Sequence, residues 1–264
     1  MDHAKALVIM SDIHSNLVAL ERCVSKLKMM GADNLKKFIS LGDNIGYGPQ
    51  PREVMAITKQ FPINIQGNHE SYMDYSYTER SLNPVARAAA SWHYHFLKPE
   101  EREYCLKLPD VKQVTLPDGK VIEFRHYAPN SAYGYVRNRQ EAEKAFSDLP
   151  SEVKLVFVGH THKAVLMEKK PNGRCVYTPA EDFKKFFGWD NPLQLEEESQ
   201  YIINVGSVGQ PRDDDVRSSL VLYDIKEHQI KFVRVDYDID KVVKMIEENE
   251  KLPDALGQRL LVGK

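Results

Sequence analysis

Asp12, His14, Asp43, Asn68, His126, His160 and His162 all offer oxygen or nitrogen lone pairs, and each falls at or just past the end of an apolar run. Strand ends in open α/β sheets converge on one crevice, so these side chains can meet. Asp12 and His14 stand two apart in what reads as an extended segment. That spacing sends both side chains off one side, and His160 and His162 repeat it around Thr161. Asp43 has two carboxylate oxygens and can bridge two cations. Imidazole with carboxylate suits manganese, iron or zinc better than calcium or copper(I). Seven ligands exceed the four of a tetrahedral zinc, so the count implies two ions.

Each motif has a plainer reading when taken alone. An Asp-x-His is more often a turn with a helix-capping residue, Asn68 can also be a cap, and His126 can be a satisfied, half-buried histidine. Together the motifs are stronger, because five of the nine histidines (His14, His69, His126, His160, His162) share the strand-end placement. His93 and His95 also form an H-x-H pair. They fall in a segment of helical pattern, where residues two apart do not share a face, and are assigned to helix packing or the surface. His3 and His228 read as terminal and turn residues without partners.

The elements that must position these groups follow from hydrophobic periodicity. Ala6 to Met10 reads as a buried strand and is followed from Asn16 by Leu17, Leu20, Val24 and Leu27 at helical spacing. Phe38 to Leu41 leads through a glycine-rich loop to a helix near Arg52 to Gln60, and Ile63 to Gln66 leads into Gly67-Asn68-His69-Glu70. Three strand-loop-helix passages predict a mainly parallel sheet core. Two helices follow across 81–107, the second opened by Pro99. Then come a hairpin around Pro117-Asp118-Gly119, a helix from about Arg139 to Leu149, a strand at Leu155 to Val158 and a hairpin around Pro171-Asn172-Gly173. Strands resume at Tyr201 to Asn204, Leu220 to Asp224 and Ile230 to Val235, before a helix from about Ile239 to Asn249. The pattern predicts one domain over 1–264 with two sheets, and the aromatic, glutamate-rich stretch at about 178–200 reads as an inserted loop segment.

A formal charge of −2 and a pI near 6.5 give no basic footprint for a long nucleic acid. Three cysteines without paired spacing point to a reducing compartment. No stretch approaches the roughly 20 apolar residues of a membrane span. The expectation is a cytoplasmic protein with neither a membrane nor a polynucleotide as partner.

Ser11-Asp12-Ile13-His14-Ser15-Asn16, Leu41-Gly42-Asp43, Gly67-Asn68-His69-Glu70, Gly159-His160-Thr161-His162 and Asn204-Val205-Gly206-Ser207 appear in that order. The set resembles the calcineurin-like metallophosphoesterase superfamily, in particular its small prokaryotic phosphodiesterase-like branch, which shares the Gly206-Ser207-Val208-Gly209-Gln210-Pro211-Arg212 segment. The resemblance implies an α/β fold, a four-layer αββα sandwich of two mixed β-sheets flanked by helices. It implies one metal held by Asp12, His14, Asp43 and His162, a second by Asp43, Asn68, His126 and His160, and His69 as the catalytic proton donor or transition-state contact. Two departures stand out. Gly46 and Tyr47 occupy positions where protein Ser/Thr phosphatases of the superfamily carry Asp and Arg, and Tyr127 follows the third histidine where a small residue is usual.

The implied chemistry is metal-dependent hydrolysis of small phosphate esters, phosphodiesters or nucleotide-type substrates foremost, by a hydroxide bridging two divalent or trivalent ions (Mn, Fe or Zn). The alternatives are a phosphomonoesterase or protein Ser/Thr phosphatase, and a non-catalytic scaffold on the same fold. His69, absent from a scaffold relative, is present here. Arg212 is a candidate for binding substrate phosphate, with a surface ion pair to Asp213 to Asp215 as its plainer role. Tyr72, Tyr75 and Tyr77 and the aromatics of 183–189 can stack on a nucleobase or simply pack, and packing is the commoner fate.

Overall fold

The computed structural model describes residues 1–74, 82–130, 134–147 and 149–264. The chain opens with β1 (Leu7–Met10), α1 (Leu17–Met29), β2 (Phe38–Ser40), α2 (Pro51–Thr58), β3 (Ile63–Asn64) and the short α3 (Asn68–Ser71). Each strand is a stiff apolar run and each helix starts where a local signal allows. Asn16 accepts the Ala19 N–H at 3.0 Å as the cap of α1, and α2 begins on Pro51. Next come α4 (Pro84–Phe96), α5 (Pro99–Leu106), β4 (Val111–Thr115), β5 (Val121–Arg125), α6 (Arg139–Ser147), β6 (Val153–Val158), β7 (Ala164–Lys169) and β8 (Cys175–Pro179). The chain closes with α7 (Ala180–Phe186), β9 (Leu193–Gln194), β10 (Gln200–Val205), β11 (Ser218–Asp224), β12 (Gln229–Val235), α8 (Ile239–Glu247) and α9 (Ala255–Gln258).

Two six-stranded sheets result, ordered β3-β2-β1-β11-β12-β9 and β4-β5-β6-β10-β7-β8. The expected mainly parallel core needs correcting. Pairs β1/β2, β2/β3, β5/β6 and β6/β10 are parallel, but β11 returns antiparallel on β1 and every hairpin adds antiparallel pairs, so both sheets are mixed.

Strand alternation divides the side chains between three cores. Ile9 and Tyr223 face Phe124, Phe157 and Ile203 of the other sheet, whereas Val8, Met10 and Leu222 face outward onto Leu20, Val242 and Ile246 of the helices. The second sheet buries Val156, Val158 and Ile202 under Ala142 and Phe146 of α6. The layers are therefore helix, sheet, sheet, helix.

Residues 178–200 fold as α7 and the edge strand β9. Phe183 is buried against Phe232 (ring centroids 4.7 Å apart) and Trp189 (5.4 Å), so these aromatics pack in the core, while Phe186 and Phe187 face solvent. Tyr75 and Tyr77 lie outside the described residues. His228 has a partner after all, since its Nδ1 lies 3.0 Å from the Tyr223 hydroxyl. No helix among the described residues is long and apolar enough to cross a membrane.

A buried ion pair locks the C-terminal sheet to the loop after β10. The Arg234 side chain is fully buried, stacks on Trp189 with its guanidinium carbon 4.4 Å from the ring centre, and makes a two-point contact with Asp213. Asp213 also accepts the Ala164 N–H at 3.1 Å. Removing one partner of such a pair leaves a buried, uncompensated charge. Asp213→Ala is therefore expected to destabilise the fold by about 3–5 kcal/mol in urea unfolding.

Candidate metal centre

The carboxyl ends of the parallel strands from both sheets meet at one edge. Asp12 and His14 follow β1, Asp43 follows β2, Asn68 follows β3, His126 follows β5, His160 follows β6, and His162 stands just before β7. The extended geometry expected for the two paired motifs is not what is found. Asp12, His14, Asp43, His160 and His162 have φ of 53°, 49°, 52°, 69° and 60°, the left-handed region. Asp and His tolerate that region better than branched residues, but such backbone persists only when its surroundings over-determine it. Here they do. Asp12 N–H donates to Gly42 O at 3.0 Å, His14 N–H to Asp43 O at 2.9 Å, and His160 N–H to Asp12 Oδ2 at 2.9 Å.

All seven ligand candidates come together, in two sets that share Asp43. Asp12, His14, Asp43 and His162 form one set, and Asp43, His126 and His160 the other. The Asn68 Oδ1 completes the second, lying 3.0 Å from His160 Nδ1 and 3.3 Å from His126 Nε2. Three imidazoles are tied down the same way. Nδ1 of His14 faces Ile45 O at 3.1 Å, Nδ1 of His126 faces Leu41 O at 2.8 Å, and Nδ1 of His162 faces Gln210 O at 2.6 Å. A carbonyl only accepts, so each Nδ1 carries the proton and each Nε2 turns inward with a lone pair.

The inward atoms are crowded and short of donors. His14 Nε2 lies 3.0 Å from His162 Nε2, and His162 Nε2 lies 3.3 Å from Asp12 Oδ1, a buried atom without a hydrogen-bond partner. On the other side His126 Nε2 lies 3.3 Å from Asp43 Oδ2. Facing lone pairs at such distances repel unless a cation or proton lies between them. The donor chemistry, nitrogen with carboxylate and amide oxygen, fits two transition-metal ions. The protein without metal manages the charge by other means. Burial drives Asp12 up toward its neutral form and holds His14 well down. Burial opposes a proton on His126, but the Asp43 carboxylate outweighs it and lifts the imidazole to about 9.

Several supporting residues carry no signal in the ligand spacing. Glu70 is buried and its carboxylate accepts the N–H groups of Asp43 and Asn44 at 2.8 Å and of Gly67 at 2.9 Å, stitching two ligand loops together. Its place in the Gly-Asn-His-Glu motif was the available clue. His93 packs behind the site as a buried helix residue, with the Ser15 hydroxyl donating to its Nε2 at 3.0 Å. His69 is buried, its ring 4.4 Å from Tyr47, 4.8 Å from His14 and 5.1 Å from Tyr72. Burial pulls its pKa down to about 4, so the resting ring is neutral. Gly46 explains the close seating of His69: it has φ +94°, and a Cβ there would fall 2.1 Å from His69 Nδ1. Arg212 donates to Gln210 Oε1 at 2.7 Å and sits 5.7 Å from the Tyr47 ring centre, with its Nε buried and unpartnered. The acidic neighbours are engaged elsewhere, Asp213 with Arg234, Asp214 with Lys264 and Asp215 with Arg217. A cleft of about 780 Å³ opens over the cluster, with Tyr47, Tyr72, Tyr127, Tyr135, Arg125 and Arg212 in its walls.

The model of the calcineurin-like phosphoesterase superfamily domain matches residues 6–228. An uncharacterised protein of Methanocaldococcus jannaschii is 31% identical over 263 residues, 98% of each chain. A metallophosphoesterase structure from Sphaerobacter thermophilus superposes with a TM-score of 0.78 at 31% identity, covering 98% of this chain and 100% of that one. A hypothetical protein of Pyrococcus horikoshii OT3 shares the fold, with a TM-score of 0.75 at 19% identity over 98% of both chains.

A cation that fills either donor set stabilises the folded chain alone. Manganese at 100 times its dissociation constant is expected to add about 2.7 kcal/mol, read as a rise in the unfolding midpoint. Asp43→Asn, which weakens both sets together, is expected to lose most of that rise.

Proposed function

The chain belongs to the calcineurin-like phosphoesterase superfamily, and on that premise we propose that it hydrolyses small phosphate esters, phosphodiesters and nucleotide-type substrates foremost, using two manganese, iron or zinc ions. The observation that carries this reading is the Asp43 carboxylate shared between two donor sets, into which His14, His126 and His162 turn Nε2 while His160 turns Nδ1 toward Asn68. When bound, such a pair of ions acidifies water and draws charge from the phosphoryl oxygens.

The chain's own residues supply the rest. Asp12, His14, Asp43 and His162 would hold one ion, and Asp43, Asn68, His126 and His160 the other. His69 stands beside them with glycine at position 46 and the rings of Tyr47 and Tyr72 flanking it, and burial outweighs the pull of the Asp43 carboxylate to keep it neutral. It meets a substrate as a neutral ring, an anionic phosphoester in contact favours uptake of a proton from solvent to give the imidazolium, and that imidazolium hands the proton to the leaving oxygen. Arg212 has spare guanidinium donors on the same cleft and suits a phosphate oxygen.

The walls favour a diester. A diester carries one negative charge and two organic groups, and the cleft offers tyrosine rings and room well beyond a bare phosphate. Among the described residues lining the cleft only Arg125 and Arg212 are basic, too few for a polynucleotide track, and the net charge of −2 agrees with a small substrate. Cys23, Cys105 and Cys175 are all unpaired and buried, in keeping with the cytoplasm.

With manganese present, the wild type is expected to hydrolyse an aryl phosphodiester faster than the matching monoester. A faster monoester would reverse the substrate order, and no metal-dependent turnover of either would remove the enzymatic reading. His69→Ala is expected to lower kcat by about 10² to 10⁴ with metal content unchanged by elemental analysis.

A further inference from the structure

An asparagine that ligates metal has a difficulty that a carboxylate does not. Its amide has one acceptor end and one donor end of nearly the same shape, and only the oxygen can face a cation. Asn68 lies next to His126 and His160, with nothing in its own geometry to choose the end. Something must hold it.

Tyr72 stands one helical turn on, and its hydroxyl oxygen accepts the Asn68 Nδ2–H at 3.1 Å. That contact occupies the donor end and leaves Oδ1 toward His160 Nδ1 at 3.0 Å and His126 Nε2 at 3.3 Å. The phenol is itself held. Tyr72 is half-buried, packs with Ile45, Met55, Met73, Leu97 and Cys105, and rests edge-on against His69. Asn68 and Tyr72 bracket the first turn after β3, so their spacing is fixed by the α3 backbone, where the Tyr72 N–H donates to Asn68 O at 3.0 Å. By contrast, His14, His126 and His162 are oriented by backbone carbonyls, which no substitution removes.

We propose that Tyr72 is the positioning residue of the second metal set, its phenol oxygen selecting the Asn68 orientation that presents Oδ1 to the cation. The inference rests on the two-ion reading above. It assigns to Tyr72 an effect on one ion and not the other, which a general loosening of the site would not produce. Outer partners of metal ligands commonly govern affinity by about 10- to 100-fold.

Calorimetric titration of the metal-stripped protein with manganese or zinc tests it without reference to turnover. Wild type should bind two ions. Tyr72→Phe, which removes one oxygen and keeps the ring, should weaken one of them at least about tenfold and leave the other within about twofold. An Asn68→Asp background has an oxygen at both ends of the side chain and needs no selection, so adding Tyr72→Phe there should change second-ion affinity by less than about threefold. Two ions bound by Tyr72→Phe with wild-type affinities, both ions weakened alike, or an equal tenfold loss in the Asn68→Asp background would each overturn the proposal. A wild type that binds fewer than two ions overturns the metal reading itself, a result separate from all three.

Discussion

Two carboxylates, Asp12 and Asp43, are buried at the edge where two sheets meet, and the nitrogen lone pairs of three imidazoles are aimed at them. Such an arrangement is unfavourable in a low-dielectric interior unless positive charge sits within it. Much of the surrounding structure serves to hold it regardless. Glu70 spends its carboxylate on backbone N–H groups of the Asp43 and Gly67 loops, and backbone carbonyls fix the tautomers of His14, His126 and His162. Left-handed residues, each costing on the order of 1–3 kcal/mol, are retained because relaxing any one would swing a ligand out of the cluster. Stability and ligand readiness are therefore opposed in the free protein and aligned once cations bind.

The sandwich is what makes the cluster possible. Asp12, His14, Asp43 and Asn68 come from the first sheet, and His126, His160 and His162 from the second. Neither sheet alone offers a complete donor set, so the inter-sheet core of Ile9, Phe124, Phe157 and Tyr223 sets the distance between the two halves. The buried Arg234–Asp213 contact extends the same logic to the cleft. It anchors the segment that brings Gln210 O to His162 and carries Arg212, whose own N–H donates to His162 O at 3.0 Å. Fold energetics and the proposed phosphate contact meet in a run of four residues, 210–213.

The ligand roster was legible because metal chemistry restricts residue types and because strand ends give them a common address. Asp12, Asp43 and His160 follow apolar runs that no surface segment would need. The left-handed backbone was not legible, since two-residue spacing is the same whether the pair lies in a strand or in a tight loop. The antiparallel return of β11 on β1 was hidden for a related reason, as both strands read as buried runs whose direction only tertiary packing decides. Asp213 read as a surface partner for Arg212, because the burial of its pair with Arg234 depends on residues such as Trp189 far away in sequence. His93 shows the limit from the other side. Helical spacing rightly kept it apart from His95 and from the ligands, yet could not show that its Nε2 accepts a hydrogen bond from the Ser15 hydroxyl, next to His14.

Gly46 and Tyr47 give the site its particular character. Where relatives that act on phosphoproteins carry an acid and a base, this chain has a glycine that lets His69 press against the loop and an aromatic ring that meets it edge-on. Burial outweighs the attraction of the Asp43 carboxylate, decides the state of His69 and keeps it neutral. Under the proposed function the guanidinium for a substrate phosphate would be that of Arg212, carried over the same Tyr47 ring by a segment more than 150 residues further along the chain. Tyr47 thus backs both groups at once, replacing a charged pair with a flat surface. On the proposed reading, the tyrosine-walled cleft favours esters whose organic groups gain from contact with rings.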